Sequence, residues 1–216
     1  IMIVYDMIVS LKNIHKSNYI HGDLHSDNIF LSMRSNEWLI GDLEHCGPAN
    51  KASTTIYGRM SYVTPELFVG GSKTKKSDIY GFGILMWEIY YEESPFKNYS
   101  NLDELAHFVF FEGRPEIDES MPIWYSELLK KCWGTNPAKR PDAEEIFNEI
   151  ENQLQILYQS GETESDFFKF DRKKKYTKST TINTIGCQKA ANDICNKSTY
   201  INTTNVLKHL FTSDSM

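Results

Sequence analysis

Apolar residues recur at helical spacing at the beginning of the chain. Ile3, Met7 and Leu11 stand four residues apart, which places them on one face of a helix. We therefore predict a helix over residues 1–15 with one buried side. Asn18 follows the last periodic position and is expected to lie beyond the helix end.

A second pattern predicts a helix in the middle of the fold. In residues 78–91, apolar side chains cover every side of a helix, and such a helix is usually buried. Gly81 and Gly83 lower its helix propensity but permit close backbone approach. Further helices are predicted at residues 101–112, 124–133 and 142–159. The last of these has Asp142 as a candidate cap, with Glu145 three residues later.

Strand signals are short and lie near the beginning. Residues 29–32 and 38–40 are strand candidates, and the polar residues 33–37 between them predict a hairpin turn. Residues 41–65 are rich in Gly, Ser, Thr, Asn and Pro and show no periodicity. An irregular run of that length inside a domain is usually functional. The predicted fold class is mainly α, with a helical base and one short β-hairpin.

Length and charge limit the function classes. A chain of 216 residues suits one domain with an extension. Its 23 basic and 29 acidic residues give a formal charge of −6, which argues against nucleic-acid binding through the overall field. No segment approaches the roughly 18 apolar residues of a membrane span.

The end of the chain differs in composition from the rest. We divide the sequence into a domain at residues 1–158 and a polar, mostly disordered tail at 159–216. A short helix near 205–211 is one exception that the pattern allows. The basic run at 172–175 fits either a nuclear-import or acidic-surface patch, or a solvated linker.

Cysteine usage indicates the compartment. The four cysteines form no C-x-x-C pair and no zinc-type cluster with histidine, which favours a reducing, intracellular setting. We expect a cytoplasmic location, with the nucleus as the alternative.

Several motifs follow one another in a fixed order. They read HGDLHSDN at 21–28, GDL at 41–43, TPE at 64–66, SDIYGFG at 77–83, PF at 95–96 and CWGTNPAKRP at 132–141. This series resembles the C-terminal, catalytic lobe of protein kinases, closest to the tyrosine-kinase-like serine/threonine group. The resemblance runs from residue 1 to about residue 157 and implies a kinase-like C-lobe fold.

The resemblance implies a role for each residue of the site. Asp23 matches the carboxylate that accepts or orients the proton of the acceptor hydroxyl. Asn28 and Asp42 match the two Mg²⁺ ligands, and Phe30 matches the floor beneath the adenine of ATP. His25 stands where the pattern has a Lys that contacts the transferred phosphate. The alternative is that Asp23 and Asp42 are ordinary surface acids at turns.

Other motif residues resemble structural parts of the family. Glu66 and Arg140 match a buried ion pair. Asp78 matches the carboxylate that holds the backbone of the catalytic loop. His21 and Leu43 match members of an apolar column between two lobes. The alternative for His21, a metal pair with the histidine four residues later, is not expected in a loop.

The sequence departs from the family pattern at four positions. Gly22 stands where many kinases have an Arg that pairs with a phosphorylated activation segment. His25 replaces the Lys, Glu44 replaces the Gly of Asp-Phe-Gly, and Arg59 replaces a Thr. The sequence also carries no glycine-rich loop and no strand with a phosphate-pairing Lys. We therefore expect that the N-terminal lobe is missing and that ATP binding is weak.

Two functions remain open from the sequence. The first is a protein kinase acting on protein Ser or Thr, with Tyr left open, of which this chain is an incomplete domain, inactive alone. The alternative is a pseudokinase-like scaffold that binds proteins. The expected partner is a protein substrate or a signalling protein.

Overall fold

A computed structural model describes residues 1–51, 54, 58–99 and 101–161 of the chain. Within them the helices are α1 (Met2–Lys16), α2 (Pro65–Phe68), α3 (Lys75–Tyr91), α4 (Leu102–Phe110), α5 (Ile123–Cys132) and α6 (Ala143–Ser160). The strands are β1 (Tyr19–Ile20), β2 (Ile29–Leu31), β3 (Trp38–Ile40) and β4 (Gly47–Pro48). None of the described helices is long and apolar enough to cross a membrane.

Helix α3 lies at the centre of the core, as its sequence predicts. Its apolar side chains are buried on all sides, and it packs against α5. A β-carbon on Gly83 would lie 2.9 Å from the Cβ of Cys132, so this contact requires glycine. The helix begins three residues before the predicted start, because Thr74 and Ser77 form a capping box ahead of Asp78.

Helices α1 and α6 pack against each other on one side of the core. The buried face of α1 includes Val4, Met7, Leu11 and His15. Asp142 and Glu145 form the predicted capping box at the start of α6. Both helices lie within about one residue of their predicted limits.

Two antiparallel two-stranded sheets frame the loop that follows α1. In the predicted hairpin, β2 pairs with β3 so that Phe30 lies opposite Leu39. In the second, β1 pairs with β4, with Ile20 opposite Gly47. The sequence did not predict the second sheet, because two-residue strands are too short to show an alternating pattern.

Some predictions fall outside the described part of the chain. They are the disordered tail beyond residue 161, the helix near 205–211 and the basic run at 172–175.

Candidate active site

Asp23 lies in the loop between β1 and a short helical turn at Ser26–Asn28. Its carboxylate Oδ2 is 3.6 Å from Nε2 of His25 and 4.0 Å from Nε2 of His45. Burial acts to raise the pKa of Asp23. The hydrogen bond and charge of His25, with the charges of Lys73 and His45, outweigh burial and hold that pKa below its usual value. The carboxylate is therefore ionised at neutral pH.

A buried carboxylate on α3 fixes the backbone of this loop. Asp78 Oδ2 accepts the backbone N–H of His21 at 2.8 Å, and Oδ1 accepts that of Gly22 at 2.9 Å. The same Oδ2 lies 2.9 Å from Nε2 of His15 on α1. Asp78 thus joins the first helix, the loop and the central helix, which is the position that the sequence predicts.

The end of the β2–β3 hairpin brings Asn28 and Asp42 next to each other along the backbone. Gly41, which precedes Asp42, donates its N–H to the carbonyl of Asn28 at 2.8 Å. The Asn28 side-chain amide donates to the carbonyl of Asp23 at 2.8 Å. Asp42 is exposed, with a positive φ of 53°. Asn28 is thus bonded to the backbone of Asp23 and to that of Gly41, the residue before Asp42.

The donor set suits a hard cation. The Asn28 amide oxygen and the Asp42 carboxylate are oxygen ligands of the kind that Mg²⁺ prefers. Among the described residues there is no group of three or more His, Cys, Asp or Glu side chains that could hold a metal. A site with two protein ligands is compatible with that finding only if phosphate and water supply the remaining ligands, as Mg²⁺ commonly allows.

Phe30 and His25 both contact residues at this hairpin end. The Phe30 ring is 37% exposed and rests against Gly41, where a β-carbon would lie 2.6 Å from the ring. His25 Nε2 is 3.2 Å from the side-chain nitrogen of Asn28, and its ring lies 6.0 Å from that of Tyr62. The structure thus leaves Phe30 open on one face and places His25 beside both Asp23 and Asn28.

Gly58, in the segment 41–65 that lacks sequence periodicity, lies against the carboxylate of Asp23. A β-carbon on Gly58 would lie 1.9 Å from Oδ1 of Asp23, and the φ of this glycine is +88°. The next residue, Arg59, pairs with Asp27 at 2.6 Å. Sequence reasoning missed Gly58, because only the folded chain shows that its backbone passes directly beside Asp23.

The predicted ion pair of Glu66 and Arg140 is present behind the site. Two guanidinium nitrogens of Arg140 lie 2.7 and 2.8 Å from the two carboxylate oxygens of Glu66. Burial acts to raise the pKa of Glu66, but Arg140 outweighs it and lowers that pKa. The pair ties the start of α2 to the segment before α6.

Comparison with known proteins identifies the family. The model of the protein tyrosine and serine/threonine kinase family matches residues 1–150. The chain belongs to the protein kinase family. The Dictyostelium discoideum relatives include a "probable LIM domain-containing serine/threonine-protein kinase", 32% identical over 157 residues, and the "dual specificity protein kinase zak2", 29% identical over 189 residues.

The chain spans only a small part of these kinases. The matches cover 72% and 76% of this chain but 24% and 30% of the two relatives. A third relative, a "probable serine/threonine-protein kinase" of the same organism, is 35% identical over 139 residues, which are 62% of this chain and 15% of that protein.

Two positions that depart from the kinase pattern, Gly22 and Glu44, lie close to identified neighbouring atoms. Gly22 has a φ of +79°, and a β-carbon there would lie 2.8 Å from the backbone oxygen of His45. Glu44 follows Asp42 closely, with its backbone N–H 3.4 Å from Oδ1 of Asp42.

His21 is fully buried and its Nε2 lies 3.0 Å from the carbonyl of Gly41. Those contacts place His21 in the core of the site.

Two further residues were not predicted to contribute to the site. His15 contacts Asp78, and Lys73 contacts the carbonyl of Gly22 at 2.5 Å. His15 fits the buried face of α1 by its spacing. Lys73 stands in a lysine-rich stretch where nothing in the spacing distinguishes it from its neighbours.

Proposed function

We propose that this chain is the catalytic part of a protein kinase that transfers a phosphoryl group from ATP to Ser or Thr side chains of a protein. The observation that carries the proposal is the carboxylate of Asp23 on a loop that Asp78 fixes. The backbone carbonyl of Asp23 accepts the Asn28 amide, and the carbonyl of Asn28 accepts the N–H of the residue before Asp42. Phosphoryl transfer depends mainly on positioning and on neutralising charge, and this arrangement provides both.

Each side chain would contribute a separate part of the reaction. Asp23 would orient the acceptor hydroxyl and take its proton. Asn28 and Asp42 would hold Mg²⁺, which when bound neutralises charge on the phosphates. Phe30, open on one face, would support the adenine. His25 would contact the transferred phosphate less closely than a lysine, because an imidazole is shorter than a lysine side chain.

The choice of Ser or Thr rests on two lines of support. Residues 62–66 resemble the serine/threonine type of kinase, and the relatives carry serine/threonine or dual-specificity names. We also assign the chain to the tyrosine-kinase-like group on the motif series. Phosphoamino-acid analysis of a phosphorylated protein substrate should show phosphoserine or phosphothreonine.

The test joins this chain to an upstream lobe that carries a glycine-rich loop and a lysine-bearing strand. We expect transfer of labelled γ-phosphate to a protein substrate, falling by about 100-fold or more in Asp23→Asn. The control Asp103→Asn removes an exposed acid on α4 and should leave transfer unchanged. Equal transfer by the wild type and Asp23→Asn would contradict the proposal.

The 216-residue chain alone should behave differently from the joined protein. We expect no turnover above background, because ATP would contact only the Phe30 side of its site. Phosphorylation by this chain that disappears in Asp23→Asn would show that expectation to be wrong.

A second candidate is a binding module without catalysis. It is favoured by Glu44, an acidic residue two positions after Asp42, and by Gly58, whose backbone lies against Asp23. The joined protein distinguishes the two functions. If it gives no turnover and Mg²⁺-ATP does not raise its melting temperature, the binding module is the better description.

A further inference from the structure

Lys73 is a buried cation that none of the family motifs includes. It lies between α2 and α3 and is 7% exposed, yet its amine reaches the loop that carries Asp23. We infer that Lys73 is a positioning residue that clamps the Gly22–Asp23 peptide, a role that rests on the proposed kinase function.

The hydrogen bonds define the clamp. Lys73 Nζ donates to the carbonyl of Gly22 at 2.5 Å, while the N–H of Gly22 donates to Asp78 at 2.9 Å. Both backbone polar groups of Gly22 are therefore held: the N–H by Asp78 on α3, and the carbonyl by Lys73, two residues before α3 begins. The carbonyl that Lys73 holds belongs to the peptide bond whose nitrogen is that of Asp23, so its orientation sets the direction in which the Asp23 side chain leaves the backbone.

Glycine makes such a clamp necessary at this position. Gly22 has a φ of +79° and no side chain of its own to anchor the loop. Glycine also has more backbone freedom to lose on ordering than other residues. A bond to each side of the residue removes that freedom and leaves the loop in one conformation.

The charges around Lys73 support a role at the site. Burial lowers the pKa of Lys73, whereas the carboxylates of Asp23 and Asp78 act to raise it. A buried ammonium normally needs hydrogen bonds and nearby opposite charge, and Lys73 has the bond to Gly22 and the charges of Asp23 and Asp78. Gly22 provides no cation, so the ammonium of Lys73 brings a positive charge to the Gly22–Asp23 peptide from outside the loop.

Amide hydrogen exchange tests the clamp without any need for activity. In the 216-residue chain, Lys73→Met should speed exchange of the His21 and Gly22 amides by about 10-fold or more, because a charged hydrogen bond is lost. Exchange in α6 should not change. The control Lys75→Met removes a more exposed lysine two residues away and should leave the loop amides as they are.

Two further variants distinguish a cationic hydrogen-bond donor at position 73 from a side chain that only fills space. Lys73→Arg keeps a cationic donor and should restore protection of the Gly22 amide. If Lys73→Met does not fold, Lys73→Gln serves instead, because its shorter amide cannot reach the Gly22 carbonyl. Wild-type exchange at both loop amides in Lys73→Met or Lys73→Gln would overturn the inference.

Kinetics in the joined protein test the consequence for catalysis. Loss of the clamp should lower kcat by about 10-fold while KM for ATP stays within about twofold, and Lys73→Arg should recover most of kcat. A rise in the ATP KM with an unchanged kcat would overturn the positioning role. If the wild type gives no turnover, the kinase proposal fails, and hydrogen exchange still decides whether the clamp exists.

Discussion

Individual carboxylates join distant parts of the polypeptide around the site. Asp78 bonds to the loop backbone and to α1, and Glu66 bonds to Arg140. Arg140 is 2% exposed and also donates to the carbonyls of Gly134 and Lys76. Removal of one partner would therefore leave the other charge buried with only part of its hydrogen bonding.

Glu66→Gln should lower the free energy of unfolding at pH 7 by about 3–5 kcal/mol, because the buried guanidinium of Arg140 loses its counter-charge. The folded-state pKa of Glu66 lies below the usual value of 4.5. The stabilisation that ionised Glu66 provides is therefore complete above the usual value of 4.5 and is lost as pH falls through the folded-state pKa. Urea unfolding of both proteins between pH 7 and pH 3 should show the difference shrinking in the acid range.

The matched control is Glu119→Gln, at an exposed position outside the ion pair. It should change stability by no more than about 0.5 kcal/mol. A Glu66→Gln difference that stays constant down to pH 3 would contradict the assignment of the effect to ionised Glu66.

At the level of residues, the sequence predicted contacts that belong to recurrent motifs. Asp78 and the pair of Glu66 and Arg140 lie where their motifs indicated. The roles of Asp23, Asn28, Asp42, Phe30 and His25 stay predictions. Lys73 and Gly58 could not be predicted, because their importance comes from which backbone atoms they approach after folding.

At the level of elements, length and periodicity decided what could be predicted. The long helices α1, α3 and α6 have a clear pattern of apolar positions, and each lies within three residues of its predicted limits. Helix α2 has four residues, and β1 and β4 have two each, so none shows a period. These short elements depend on tertiary contacts, which the local sequence does not reveal.

Helix α6 offers a test of capping at the element scale. Asp142 accepts the backbone N–H groups of Glu144 and Glu145 at 3.0 and 2.9 Å. Asp142→Ala should lower the free energy of unfolding by about 1 kcal/mol, as measured by chemical denaturation. Asp142→Asn keeps an acceptor at the same place and should lose much less. Equal losses in the two variants would show that the cap is not the cause.

The molecule as a whole has an apolar surface next to the candidate site. Leu43 is 56% exposed, Leu39 is 45% exposed and Phe30 is 37% exposed. Grouped apolar exposure of this kind favours association in solution.

Leu43→Lys should reduce self-association of the 216-residue chain, because it places a charge at the most exposed of these three apolar side chains. Light scattering at increasing protein concentration measures the change. Ile123→Lys is the control, since Ile123 is 76% exposed on a different helix, α5. An equal improvement by both variants would mean that added charge, rather than this surface, controls association.

The crowding at Gly22 also limits which residues this position accepts. Gly22→Arg would place a β-carbon 2.8 Å from the backbone oxygen of His45 and would keep the positive φ of 79°. A side chain here is accommodated only together with a rearrangement near His45. Substitutions at Gly22 and near His45 are therefore expected to be non-additive, so that the two positions tolerate change jointly rather than one at a time.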